Sequence, residues 1–171
     1  MKNTIYIISG PAGAGKSTTS KQIATRLGKS AYIEGDLIDH MVIGGHEKPW
    51  LSQYHTDLIW RNIEALTKNF IKEKHDVIID YVAFPWNARR ISEAFANADI
   101  VVKYAVLIVE EAELLRRDAE RKPEHQMGPR SVAGLHEILE SKPGERHVLN
   151  TTSMDVETVI HEIMTNERFV V

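Results

Sequence analysis

Two rhythms of apolar and polar positions alternate along the chain. Short runs rich in β-branched residues cover 4–8, 31–34, 76–80, 101–109 and 147–150, and the middle ones are nearly continuous in Val and Ile. Such runs suit strands of a parallel sheet that is covered on both faces. Between them the apolar positions take helical spacing, over 16–27, 52–73, 85–96, 111–121, 131–140 and 155–166. Ser131 and Asp155 stand where a side-chain oxygen caps a helix, and Pro85 suits a first helical turn. The alternation predicts an α/β fold with helices on both faces of the sheet. Segments 44–50, 122–130 and 141–146 follow neither rhythm and read as loops of one domain spanning residues 1–171.

Composition narrows the classes of function. A chain of 171 residues suits one sizeable core. The net charge of −3 argues against a nucleic-acid partner. The absence of cysteine excludes disulfides, thiolate metal sites and a cysteine nucleophile, and fits a reducing compartment, so a cytoplasmic location is expected. Met1-Lys2-Asn3-Thr4 leads into an apolar stretch too short to span a bilayer, so neither a signal peptide nor a membrane partner is expected.

The first apolar run ends in Gly10-Pro11-Ala12-Gly13-Ala14-Gly15-Lys16-Ser17-Thr18. This matches the phosphate-binding pattern G-x-x-x-x-G-K-[ST] in full, with a strand before it and a helix after it. Gly10 lets the chain leave the strand sharply. Gly13 and Gly15 let backbone N–H groups close on phosphate oxygens, and the helix N-terminus points its free amides and positive dipole end at the same anion. Lys16 is expected to contact the β and γ phosphates, and Ser17 to offer its hydroxyl to Mg²⁺. The loop from Gly10 to Thr18 is therefore expected to hold ATP or another nucleoside triphosphate with Mg²⁺.

Acids end two of the strands. Asp80 closes the run Asp76–Asp80 and is placed to hold Mg²⁺ through water, since ligand sites of open α/β sheets lie at strand C-termini. Glu34-Gly35-Asp36 closes the second run. If the strand continues, Glu34 and Asp36 project to one side, with Gly35 leaving space for a substrate. Asp36 is the better candidate to accept the proton of an attacking hydroxyl, with Glu34 beside it. Asp39, one helical turn on, reads as a surface or capping acid.

Arg117 and Arg121 share a helix face that leads into the Pro- and Gly-bounded loop 122–130. Charge entering a mobile segment suits a lid that closes over a transferring phosphoryl group. Arg121 is the first choice for that role, then Arg117 and Arg130. Arg61, in the middle of its helix with Glu64 three residues on, is a candidate to grip the acceptor. Arg89 and Arg90 read either as residues facing the substrate pocket or as a solvated helix start. The eight histidines form no H-E-x-x-H pair, and no zinc site is expected. Trp50 and Trp60 read as packing residues.

Taken together these residues resemble small P-loop kinases, the group containing gluconate kinase, shikimate kinase and chloramphenicol phosphotransferase. The likeness follows the chain in order: phosphate loop, the acids after strand two, Arg61, Asp80 and an arginine-bearing lid. It implies a three-layer P-loop NTPase fold with a five-stranded parallel sheet ordered 2-3-1-4-5. It also implies ATP as donor, Mg²⁺, and a small hydroxylated acceptor, a gluconate-like sugar acid being the first guess. In shikimate kinase two acids after strand two serve metal and substrate; Glu34 and Asp36 match them here. That family's Gly-Gly-Gly stretch after strand three is replaced by Tyr81-Val82-Ala83-Phe84, which speaks against shikimate itself. Thr151-Thr152-Ser153 stand where related kinases support adenine by backbone contacts.

Two rival readings remain. A nucleoside or nucleotide kinase should carry several arginines between 38 and 61, where Arg61 stands alone. An ATP-binding switch that transfers nothing is the second; the Asn-Lys-x-Asp run of a GTPase and the Leu-Ser-Gly-Gly run of a transporter ATPase are both absent. Oligomeric state is left open by the sequence.

Overall fold

The computed structural model describes residues 2–171. Five strands, β1 (Asn3–Ser9), β2 (Ser30–Glu34), β3 (Asp76–Asp80), β4 (Ile100–Ile108) and β5 (Val148–Asn150), form one sheet in the order β2-β3-β1-β4-β5. Every pairing is parallel, so all strand C-termini lie on one edge. Seven helices surround the sheet: α1 (Lys16–Arg26), α2 (Gly35–Asp39), α3 (Gln53–Lys72), α4 (Pro85–Ala94), α5 (Glu111–Ala119), α6 (Pro129–Glu140) and α7 (Val156–Thr165). This is the three-layer P-loop NTPase architecture.

The period of two explains why both faces are covered. Ile5 and Ile7 of β1 face one way, with Val77 and Ile79 of β3, and pack against Ile59, Trp60 and Ile63 of α3 and Ile91 of α4. Tyr6 and Ile8 face the other way, with Ile78 and Leu107, and pack against Ile23 of α1 and Ile160 and Ile163 of α7. A strand apolar at consecutive positions has no solvent face to offer, so helices cover it on both sides. Trp60 is buried, as expected, whereas Trp50 is half exposed.

Asp155 does cap α7, accepting from the Thr158 amide at 2.7 Å. Four expectations need correction. Ser131 is not a cap: α6 starts two residues earlier, at Pro129, and the Ser131 hydroxyl donates to the Gly128 carbonyl at 2.6 Å. Strand β2 does not continue past Glu34; the chain turns at once into α2, so Glu34 and Asp36 belong to different elements. The space at Gly35 belongs to the protein, because a Cβ there would lie 2.3 Å from the ring of Tyr81. Asp39 is likewise no surface acid: it is 6% exposed and bonded to histidines.

Gly35 is therefore a packing glycine. Gly35→Ala should destabilise the protein by about 1–3 kcal/mol, because the atoms it meets include the root of the Tyr81 side chain. Gly28→Ala, whose Cβ meets nothing within 4 Å, should be close to neutral. Equal denaturation midpoints for the two variants would mean that Tyr81 does not seat α2.

Candidate active site

The phosphate loop joins β1 to α1. Gly10 leaves the strand with φ 146°, and a Cβ there would lie 2.4 Å from the Leu107 carbonyl oxygen, so the close approach to β4 demands glycine. Gly15 sits at the N-cap of α1 with φ 93°, the left-handed region. Among the described residues no side chain caps α1, and its first turn carries no acid. Its leading amides are thus free to meet an anion. Lys16 is not the solvent-exposed side chain a bare loop suggests: it is half-buried, and its Nζ donates to the Pro11 carbonyl at 3.0 Å across the loop.

Three strand ends bring the acids to this loop. Register aligns Asp80 with Ile8 on one side and Glu34 on the other. The Asp80 side chain is buried and accepts from the Tyr32 hydroxyl at 2.6 Å through Oδ2. The same hydroxyl lies 3.3 Å from Glu34 Oε2 and close to Ser17. Burial first, and then the bond to Asp80, push the Tyr32 hydroxyl well above its ordinary range, so it stays a neutral donor. Tyr32 escaped the sequence reading. Its signal was the period of two, which places it on the face of β2 that carries Glu34.

Asp36 opens α2 at the rim of this group. Its carboxyl is raised, first by desolvation in the concave site and then by the Asp80 and Glu34 charges, with Lys16 and His40 opposing. Lys16 is lowered, first by burial and further by Arg121, with Asp80 and Asp36 pulling the other way. Lys16 thus lies within reach of the charges of Asp36, Asp80 and Arg121. The donor set also suits the expected ligands: a hydroxyl (Ser17) and a buried carboxylate (Asp80) are hard oxygen donors of the kind Mg²⁺ takes, and the glycine cradle leaves room for phosphate oxygens.

The arginines separate. Arg121 lies close enough to act on Lys16 and is paired with Asp118 at 3.3 Å. Arg117 is tied to Glu113 at 2.6 Å and lines a cleft of about 260 Å³ with Gly13, Thr18, Thr151 and Met154. That places Arg117 in a cleft shared by the phosphate loop and the Thr151 turn. Arg130 is held by both oxygens of Glu137, at 2.6 and 2.7 Å, and its guanidinium lies 5.0 Å from the Trp50 ring centroid. Arg61 is exposed, Glu64 pairs with Lys68 and Arg90 and not with it, and among the described residues no bond brings Arg61 to Glu34 or Asp36. A larger hollow of about 470 Å³, lined by Leu139, Pro143 and Val148, lies beside β5 and reaches no residue of the phosphate loop.

Segment 122–130, expected as a mobile lid, is more ordered than its composition suggests. It contains a 3₁₀ turn, Pro123–His125, and its last two residues already belong to α6. Its anchor is Asp118, buried on α5, whose carboxylate accepts from the amides of Met127 at 3.0 Å and Gly128 at 2.6 Å. Burial pushes the Asp118 carboxyl up, but the two amides and Arg121 outweigh it and hold it below its usual range. Asp118→Asn should therefore loosen this segment, raising amide exchange at Met127 and Gly128 by about 5–150-fold, the equivalent of about 1–3 kcal/mol. In the wild type this anchor is fully present above the ordinary Asp pKa of about 3.9 and is lost as pH falls through the depressed value. Unchanged exchange in Asp118→Asn would show that the segment is held elsewhere.

Comparison with known proteins agrees with this fold. Residues 5–140 match a family model described as an AAA domain. No curated protein matches the chain. Among solved structures, a sugar kinase from Janibacter sp. HTCC2649 has 15% identity and a TM-score of 0.69, covering 96% of this chain and 94% of that one. The tunicamycin resistance protein of Deinococcus radiodurans has 19% identity and a TM-score of 0.65, covering 95% and 94%. A gluconokinase from Sinorhizobium meliloti 1021 has 19% identity and a TM-score of 0.58, covering 94% and 89%. At such identities the likeness is one of fold. The match over residues 5–140 makes this chain a member of the AAA-domain family, built on the P-loop fold that small kinases share.

Proposed function

We propose that the protein is an ATP-dependent kinase that transfers a phosphoryl group to a hydroxyl of a small molecule. The observation that carries this reading is the convergence of Lys16, Asp36 and Asp80 within mutual electrostatic reach at the mouth of the glycine cradle. Bound ATP with Mg²⁺ supplies the phosphoryl group. The amides of the loop Gly10–Thr18 bind the phosphates, and Ser17 and Asp80 hold the cation, Asp80 being oriented by Tyr32. Lys16 turns from the Pro11 carbonyl towards the phosphates. Asp36, with its raised carboxyl, accepts the proton of the acceptor hydroxyl. Arg121, presented by the Asp118-anchored lid, adds positive charge over the transferring group. Arg117 flanks the base in the cleft with the Thr151 turn. Glu34 borders the acceptor space, and Arg61 reaches an acceptor only by a movement of α3 or of the acceptor itself.

A gluconate-like sugar acid is the first acceptor to test, since a sugar kinase and a gluconokinase share the fold. The experiment is ADP release measured over sugar acids, neutral sugars, nucleosides, nucleotides and hydroxylated antibiotics. Acceptor-dependent release with one class supports the kinase reading and names the class. Release that no acceptor changes would instead support an ATP-binding switch.

A further inference from the structure

The segment that follows Asp36 gathers imidazoles around one buried carboxylate. Asp39 ends α2, His40 follows it directly, His46 comes from the loop after it, and His55 lies in the first turn of α3. His55 Nε2 is 2.5 Å from Asp39 Oδ1, and His46 Nε2 is 2.9 Å from the same oxygen. His40 Nε2 is 4.0 Å from the other oxygen, Oδ2. One ligand atom from each of Asp39, His40 and His46 falls within 4.8 Å of the others. The His46 and His55 rings meet edge-on at 4.9 Å, and the His40 and His46 rings are 6.0 Å apart.

Hydrogen bonding explains only part of this arrangement. His55 is buried and gives Asp39 the partner that a buried carboxylate needs. His46 adds a second. His40 is too far to bond, yet its Nε2 is turned to the same carboxylate. Two accessible imidazoles and a carboxylate oxygen converging from a helix end and a loop form a nitrogen–oxygen donor set. Such a set suits Zn²⁺ and its neighbours Co²⁺ and Ni²⁺, and does not suit Mg²⁺, which takes oxygen ligands.

We propose that Asp39, His40 and His46 bind one zinc-class divalent ion, with His55 as a positioning residue. The His55 Nε2–H donates to Asp39 and fixes the carboxylate, as outer groups do for metal-binding carboxylates. Three protein ligands leave a further position open on the side where His40 and His46 are accessible. The site is separate from the Ser17–Asp80 pair and lies in the connection between Asp36 and α3, so a bound ion clips the loop after α2 back to the end of α2. The proposal does not depend on the kinase reading.

The test uses the tag-free full chain after treatment with a chelator. Zn²⁺ is titrated by calorimetry and Co²⁺ by visible absorption, both with excess Mg²⁺ present. One equivalent should bind, with a Co²⁺ spectrum of nitrogen and oxygen ligation. His40→Gln and His46→Gln should each weaken binding by more than about 100-fold, and His55→Gln by about 10–100-fold, the range for an orienting partner. His136→Gln, which alters an exposed histidine on α6, should leave binding unchanged. His40 is exposed and makes no hydrogen bond within the cluster, so its variant should keep the wild-type circular dichroism even if His55→Gln does not fold. Absence of stoichiometric uptake, displacement by Mg²⁺, or wild-type affinity in a folded His40→Gln/His46→Gln double variant would each overturn the assignment and leave a hydrogen-bonded cluster only.

Discussion

Lys16→Ala should abolish turnover while leaving the protein folded. The lysine contributes one hydrogen bond to the ligand-free structure, to the Pro11 carbonyl, and burial already lowers its pKa. The charged form is therefore not a strong stabiliser of the empty loop, and the change in unfolding free energy should stay within about 1 kcal/mol. Its expected role lies with the transferring phosphoryl group, where removing one preorganised donor costs about 10²–10³-fold in rate or more. Turnover with the identified acceptor and thermal denaturation, measured on the same preparation, separate the two effects. Near-full turnover would remove Lys16 from the catalytic cluster. A large loss of stability would show that it is a structural residue.

Asp36→Asn and Asp80→Asn should fail in different ways. Asp36 stands at the rim with a raised carboxyl, and Asp80 is buried beneath it with one oxygen engaged by Tyr32. Asp36→Asn should keep nucleotide affinity and lower turnover by about 10²–10⁴-fold, towards the lower end because loose phosphoryl-transfer transition states need little base assistance. Asp80→Asn should raise the Mg²⁺ requirement, and excess Mg²⁺ should partly restore its rate. Rescue of Asp36→Asn and not of Asp80→Asn would reverse the two roles.

The raised Asp36 carboxyl also fixes the sign of two pH effects. A base must be ionised, so wild-type kcat/KM should fall on the acid side at a pH above the ordinary Asp value. Protonation is favoured in the folded state, so the ionised group opposes folding once pH rises through the raised value. Asp36→Asn should therefore be no less stable than wild type at neutral pH. A variant less stable there would mean that Asp36 serves the fold.

The parts legible in the sequence were those fixed by local rules. Continuous Val and Ile runs marked the strands, because a doubly covered sheet tolerates no polar face, and the phosphate loop was readable because its glycines are demanded one by one. Helix α2 was not legible: at five residues it is too short for a helical period and is held by the Tyr81 ring against Gly35. Asp118 looked like one more charge on a charged helix, and only the return of the chain at Met127 and Gly128 gives it its task. The histidines around Asp39 come from segments that meet through the packing of α2 on α3, which no linear spacing announces. Arg117 and Arg121 shared a helix face on paper, yet one faces the cleft by Thr151 and the other acts on Lys16. Charge at a helix end does not by itself reveal its partner.

The central claim is transfer of a phosphoryl group to a hydroxyl, and phosphorus NMR of a reaction containing ATP, Mg²⁺ and the acceptor found by ADP release tests it most directly. The account predicts a new phosphomonoester signal growing in step with ADP and missing with Lys16→Ala. Inorganic phosphate as the sole partner of ADP, whatever acceptor is present, would contradict it.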